Sequence, residues 1–400
     1  MRGLRIAERP STPPPRPGYR ITLAVILLGM ALSWPGGNVG PVASEIAADF
    51  DLSLAVVGLL SGTLYLGAVA VSLPAAARFG AWAGRGRALR IGCLLLIGGN
   101  LVFALSPAFV GLAVGRILPG LAFTALNVLG AVWVREIGGA RLLGVFGGAI
   151  QLGFALALLI GAGLSDLDVD WRVGFVVSAA VGAAALLALP RDMGRQQAPT
   201  TSMVDFVRIA LRHARVYRLS LVFMSIYGGP LIMGAWLVPY LVDEGDLATS
   251  LAGVAAFVMF GLSALVRFLG SKLQERGVPY AAICGTLVLA SIGLGALAFD
   301  PVGAVIFAAV VLMAIGFAVP YATALIAAQR LDPGAPSEPV ALMTLMALVP
   351  PMIAIPFVGH ALDNGEGPLA FALVGAFVAV AALLNLRRTG IPVAGAADPA

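Results

Sequence analysis

The chain has 400 residues, 60% hydrophobic and only 11% charged, with a mean hydropathy of +0.98. Soluble chains are roughly 45–50% apolar and about 25% charged, so a water-soluble domain is excluded. The net charge of +5 does not argue for a nucleic-acid partner, because basic residues of a membrane protein must first be sorted by side.

A spanning helix needs about 20 mostly apolar residues. Twelve such stretches are predicted, over residues 21–44, 54–77, 89–106, 109–134, 142–164, 173–190, 217–241, 249–268, 279–299, 302–328, 339–360 and 368–386. The chain is therefore expected to be an all-α polytopic membrane protein seated in a lipid bilayer. Ahead of the first span, Arg2, Arg5, Arg9 and Arg16 alternate with a proline cluster from Pro10 to Pro17. Residues 1–20 read as a disordered cytoplasmic arm, with no small-residue cleavage site to mark a signal peptide.

In the first span Trp34, Asn38 and Pro41 share a face, and Pro35-Gly36-Gly37 is expected to kink the helix beside them. The fourth span carries Arg116, with Gly120, Phe123 and Asn127 following at helical spacing. A charge at bilayer depth costs at least about 2.5–3.5 kcal/mol, so it must face protein, water or a ligand. Arg116 has two readings: it bonds carbonyls of a neighbouring helix, or it is a cavity cation that contacts substrate. Gln151 in the fifth span and Tyr65, Tyr321 and Thr344 in others are further polar candidates. The seventh span has a stripe of Met233, Trp236 and Tyr240, with Tyr227 nearer its start. Tyr240 reads as an interfacial anchor.

No Asp or Glu falls in the middle of a predicted span. Carboxylate relays are the common coupling device in transporters, so a coupling proton would have to use His360, Glu45, Asp49 or the substrate's own charge. His360 is the candidate because imidazole is the side chain suited to proton exchange near neutral pH, although its rim position also fits a solvated side chain. Cys93 and Cys284 lie inside spans and imply neither disulfide nor metal, and no cofactor is expected. An enzyme is excluded, since His213 in a linker and His360 at a rim leave no Ser/His pair, carboxylate dyad or H-E-x-x-H to assemble.

Charge sets the orientation. Of the 25 Lys and Arg, Arg172 alone falls on the side opposite the N terminus, and Arg116 falls within a span. By the positive-inside rule both termini face the cytoplasm and the membrane is the inner one. The arginine-rich stretch from Arg191 to Arg218 is the longest connection and divides six spans from six. The expected layout is a bundle over 21–190, a cytoplasmic linker over 191–216, a second bundle over 217–387 and a tail over 388–400. Gly92-Cys93 matches Cys284-Gly285 across this divide, and Gly120 matches Gly316.

Gly270-Ser271-Lys272-Leu273-Gln274-Glu275-Arg276-Gly277 follows the eighth span, and Leu73-Pro74-Ala75-Ala76-Ala77-Arg78-Phe79-Gly80 closes the second. Gly115-Arg116-Ile117-Leu118-Pro119-Gly120 and Asp170-Trp171-Arg172-Val173-Gly174-Phe175 complete the set. Together they resemble the loop and helix motifs of the major facilitator superfamily over nearly the whole chain. Arg78, Gly80, Gly270, Glu275 and Arg276 would be its gating-loop residues, with Ala77 standing where the family has Asp and leaving its charge relay without an acid. Asn38-Val39-Gly40-Pro41 with Ile46, Asp49 and Gly58-Leu59-Leu60 looks like the cyanate and nitroimidazole porter group, and proton-linked drug exporters share part of that pattern.

The resemblance implies two six-helix pseudo-repeats, alternating access, and a cavity lined by the first, fourth, seventh and tenth helices, bringing Asn38 and Arg116 to similar depth. The substrate-site candidates are Arg116, Asn38, Trp34, Phe123, Asn127, Gln151, Trp236, Tyr227 and Tyr321. The expected activity is secondary active transport of a small anionic or dipolar solute by a monomer. Drug or metabolite export, and a non-transporting receptor or scaffold, stay open as alternatives.

Overall fold

The structure is a computed structural model that describes residues 18–70, 79–80, 82–193, 214–331 and 337–386. Among the described residues ten helices are long and apolar enough to cross a membrane, and Leu54–Ala70 and Arg172–Ala188 are shorter apolar helices that complete twelve. We number them α1 (Tyr19–Phe50), α2 (Leu54–Ala70), α3 (Arg85–Leu105), α4 (Phe109–Gly139), α5 (Arg141–Asp166), α6 (Arg172–Ala188), α7 (Arg215–Asp243), α8 (Thr249–Glu275), α9 (Tyr280–Phe299), α10 (Gly303–Ala328), α11 (Ser337–Asp363) and α12 (Gly367–Leu386). Most of the expected arm, Arg78, most of the linker and the tail lie outside the described residues, and Tyr19 and Arg20 of that arm already belong to α1.

The distribution of side chains is that of a protein solvated by hydrocarbon. Large apolar residues such as Leu94, Leu187, Leu265, Phe299, Ile353 and Leu383 are exposed on the outside of the bundle. Ser33, Asn100, Gln151, Ser263 and Asn385 are buried inside it. An exposed apolar surface of this extent marks a membrane contact. Without a hydrophobic driving force between helices, close packing has to hold them together. Gly67 of α2 and Gly120 of α4 meet at their crossing, where a Cβ on Gly67 would lie 2.7 Å from the Ile117 carbonyl.

Three local features interrupt the regular helices. The first span is helical from Tyr19 to Gly37, passes through a 3-10 turn at Gly40–Val42, and resumes as Ala43–Phe50. Met224–Gly228 forms a π-helical turn inside α7, where a continuous helix was expected. α4 and α5 run into each other with only Gly139 (φ 62°) breaking them. The match of Gly120 to Gly316 does not extend to packing, because Gly120 abuts the Leu64 carbonyl of α2 while Gly316 abuts Thr286 and Ala290 of α9.

The odd helices run away from the face that carries the chain ends of the bundle, and the even ones return to it. On the opposite, far face the two halves touch closely. A Cβ on Gly40 would lie 2.9 Å from the Ala235 carbonyl, and one on Gly58 2.9 Å from that of Ile355. Asp363 accepts hydrogen bonds from the backbone N–H groups of Leu54 and Ala55, both at 2.9 Å. Asp166 accepts one from the N–H of Ser250 at 3.0 Å. The end of α11 thus caps the start of α2, and the end of α5 caps the start of α8, as a two-fold pseudo-symmetry requires.

Candidate functional site

A cavity of about 30 Å³ lies between the halves at mid-bundle, lined from α1, α2, α4, α5, α7 and α8. Its walls are mostly apolar and aromatic, with Tyr65, Phe123, Phe154, Tyr227 and Phe260 among them. Phe154 of α5 and Phe260 of α8 stack across the divide at 4.6 Å between centroids, inclined by 17°. Phe154 also abuts Gly36 and Gly234, so this pair separates the cavity from the far face. Ser33 and Gln151 supply uncharged polar groups, although the Ser33 hydroxyl is taken by the Gly29 and Met30 carbonyls.

Among the described residues, the one charged residue lining the cavity is Arg267. Its guanidinium lies 4.1 Å from the ring centroid of Tyr321, and its Nε has no hydrogen-bond partner. Tyr321 in turn stacks on Phe223 at 5.8 Å, and Phe223 on Tyr227 at 5.6 Å. An aromatic column therefore holds the cation by its face, an attraction that strengthens when water is excluded. The π-helical turn of α7 holds Ile226 and Tyr227 on the cavity wall, with Pro230 just beyond it. Such turns are frequent at functional sites.

From the sequence Arg267 falls in the last turn of the span expected over 249–268 and counts among the cytoplasmic charges. The helix nevertheless continues for eight more residues to Glu275, about 12 Å at 1.5 Å per residue. The signal was present in the loop motif itself. Gly277 has φ 77° and the Val278 N–H bonds the Leu273 carbonyl at 3.0 Å, a left-handed helix stop that glycine accommodates. Reading the stop from Gly277 would have placed Arg267 two turns inside the helix.

Arg116 has other surroundings. It is 1% exposed, does not line the cavity, and donates from one terminal nitrogen to the Pro35 carbonyl at 2.6 Å. The last carbonyls of a helix have no intrahelical donor, and the break after Gly37 leaves Pro35 among them. A cation there also complements the negative end of the helix dipole. The guanidinium is covered by the Phe103 ring at 5.9 Å, while its Nε has no partner.

The other expected site residues divide among three places. Phe123, Gln151 and Tyr227 line the cavity, and Tyr321 lies beneath Arg267. Trp34 and Asn38 instead line a separate small recess within the first half, between α1, α5 and α6. Asn38 Nδ2 is buried without a partner. Trp236 is 1% exposed and donates from Nε1 to the Ile355 carbonyl at 2.7 Å, against Gly58 and Gly359. It belongs to the far-face closure. Asn127 is half-buried on α4 outside the cavity lining. Tyr240 is no interfacial anchor: it is fully buried, donates to the Leu297 carbonyl at 2.7 Å and stacks on Phe371.

Of the gating-loop residues, Gly80 is buried in a short helical stretch and Arg276 is exposed, while the backbones of Gly270 and Glu275 are helical. Arg85, which the sequence reading passed over, is 2% exposed and pairs with both carboxylate oxygens of Glu136, at 2.6 and 2.9 Å. It also reaches the Met193 carbonyl at 3.3 Å, tying α3 to α4 and to the segment after α6. The carboxylates near α1 are committed elsewhere: Glu45 bonds Ser165, and Asp49 accepts from Trp171 Nε1 at 2.8 Å and from Arg172 at 3.0 Å.

Residues 21–338 match the family model described as Major Facilitator Superfamily. The chain belongs to the major facilitator superfamily. Among relatives of this superfamily member, a probable plastidic glucose transporter of Arabidopsis thaliana is 27% identical over 59% of this chain and 44% of its own length. A chloramphenicol efflux pump of Mycobacterium tuberculosis is 30% identical over 64% of this chain and 63% of its own. In both cases the chain spans less than two thirds of the relative. Solved superfamily structures agree in fold. The inward-facing, occupied form of a bacterial homologue of the human lysosomal transporter Spinster superposes with a TM-score of 0.73 at 16% identity, over 95% of this chain and 98% of that one. The inward-open xylose transporter of E. coli gives 0.73 at 14% identity, over 94% and 97%.

Proposed function

We propose that this superfamily member is a secondary transporter that moves a small anionic or strongly dipolar solute across the inner membrane by alternating access between its two six-helix halves. The observation that carries this reading is the placement of Arg267. It is a fixed cation facing a cavity between the halves, with no acidic residue among the described residues of the lining to neutralise it. A positive group between low-dielectric walls concentrates anions, and a guanidinium offers a planar fork that matches a carboxylate. We assign Arg267 the ligand role that the sequence had offered to Arg116, and Arg116 the task of capping the broken first helix. The arginine distribution supports termini in the cytoplasm, which makes the far face the outer one and the sealed side of this conformation.

The apolar lining and the likeness to an efflux pump favour a second reading, export of neutral drugs. A thermal-shift screen of the purified protein against small anions, neutral metabolites and cationic drugs separates the two, since a ligand that binds the folded state raises its stability. Stabilisation by small anions that disappears in Arg267→Gln is expected. Stabilisation by neutral or cationic drugs alone, equal in both proteins, would transfer the assignment to drug export.

A further inference from the structure

We infer that the cavity selects a monoanion carrying a flat apolar body of about one ring, over inorganic anions, dianions and very small carboxylates. This rests on the assignment of Arg267 as the anion ligand. The argument starts from charge. One guanidinium balances one negative charge, and among the described residues no second cation lines the cavity to balance another. A dianion would leave a charge uncompensated in an apolar site, which costs far more than it gains. Inorganic phosphate is partly a dianion at neutral pH, and its monoanion offers no apolar body to the aromatic walls.

Geometry sets the rest. Arg267 and the Phe260–Phe154 stack are seven residues apart along α8, about 10 Å. A carboxylate held at Arg267 would direct the remainder of its molecule toward that stack, between Tyr65 on one half and Tyr227 on the other. The planar side chains there present faces and edges with which a ring packs favourably. Acetate would leave this space unfilled. A neutral amide of the same shape would fill it but leave the guanidinium without its counter-charge.

The test uses the purified full chain and compares melting-temperature shifts over titrations with benzoate, acetate, terephthalate, inorganic phosphate and benzamide. Benzoate is expected to bind at least about tenfold more tightly than acetate, as burial of one ring implies. Terephthalate, phosphate and benzamide should give no saturable shift. The benzoate response should be weakened in Arg267→Lys and lost in Arg267→Gln. If acetate, phosphate or terephthalate equals benzoate and the response still requires Arg267, the selectivity is wrong and the anion assignment stands. If no anion gives a shift that depends on Arg267, both are wrong. Should the Arg267 variants fail to fold, Phe260→Ala decides: selective loss of benzoate over acetate is expected, and an equal loss of both would overturn the proposal.

Discussion

Asp363, the last residue of α11, closes over the first residue of α2, its Oδ1 accepting the Leu54 N–H at 2.9 Å and its Oδ2 the Ala55 N–H at 2.9 Å. The first turn of a helix has N–H groups without intrahelical partners, and an anion placed there is worth roughly 0.3–1 kcal/mol. Asp166 repeats the arrangement on α8 through Ser250. Both carboxylates join the halves on the far face, so they stabilise the conformation in which that face is closed. Asp363→Asn is expected to raise the labelling rate of a cysteine placed at Gln151 from the outer side severalfold, and adding Asp166→Asn should raise it further. An unchanged rate in the double variant would show that apolar packing alone seals this face.

Arg116 and Arg267 should separate stability from binding. Arg116→Gln removes a charge-assisted hydrogen bond to a buried carbonyl and is expected to cost about 1.5–3 kcal/mol, seen as lower expression and melting temperature. Arg116→Lys should recover part of this. Arg267→Gln is expected to melt near the wild type while losing anion-dependent stabilisation. The opposite pattern, a stable Arg116→Gln protein with anion binding lost, would return the ligand role to Arg116.

Gly40 lies where α1 crosses α7, and any Cβ there would meet the carbonyls of Gly234 and Ala235. These are backbone atoms that cannot rotate away. Gly40→Ala is expected to cost about 1–3 kcal/mol in the closed conformation through overpacking. Faster labelling of the Gln151 cysteine from the outer side measures it, and a rate equal to wild type would place the cost elsewhere.

His360 is exposed near the far end of α11, and its carbonyl accepts from Asn364 Nδ2 at 2.7 Å. It does not line the cavity. Counterflow exchange of benzoate in proteoliposomes is therefore expected to be the same for His360→Ala as for wild type at every pH between 5.5 and 8. A lost pH dependence in that variant would make His360 the coupling group.

Topology is tested from outside the cell. A cysteine at Glu244, exposed on the far face, is expected to react with an impermeant thiol reagent, and one at Gln196 only after the membrane is opened. The reverse pattern would invert the orientation and with it the direction in which the sealed face points.

The sequence by itself determined the number of spans and most of their bounds, the ends of the first and eighth excepted, because only backbone bonded within its own helix is stable in lipid and each crossing therefore needs its own apolar run. The kink at Pro35-Gly36-Gly37 was legible from residue type for the same reason. Tertiary structure decided which side chains share a cavity. Arg116 and Arg267 are the same chemical group, each within a few residues of a glycine motif. What separates them is that the broken end of α1 presents a free carbonyl to the first, whereas the second has an aromatic column beneath it and open space ahead. Helical spacing fixes a residue's angle on its own helix, but the angle acquires meaning only from the neighbour it faces. The carboxylate caps at Leu54 and Ser250 were out of reach for that reason too: they join residues 309 and 84 positions apart, and nothing in either segment read alone specifies the other.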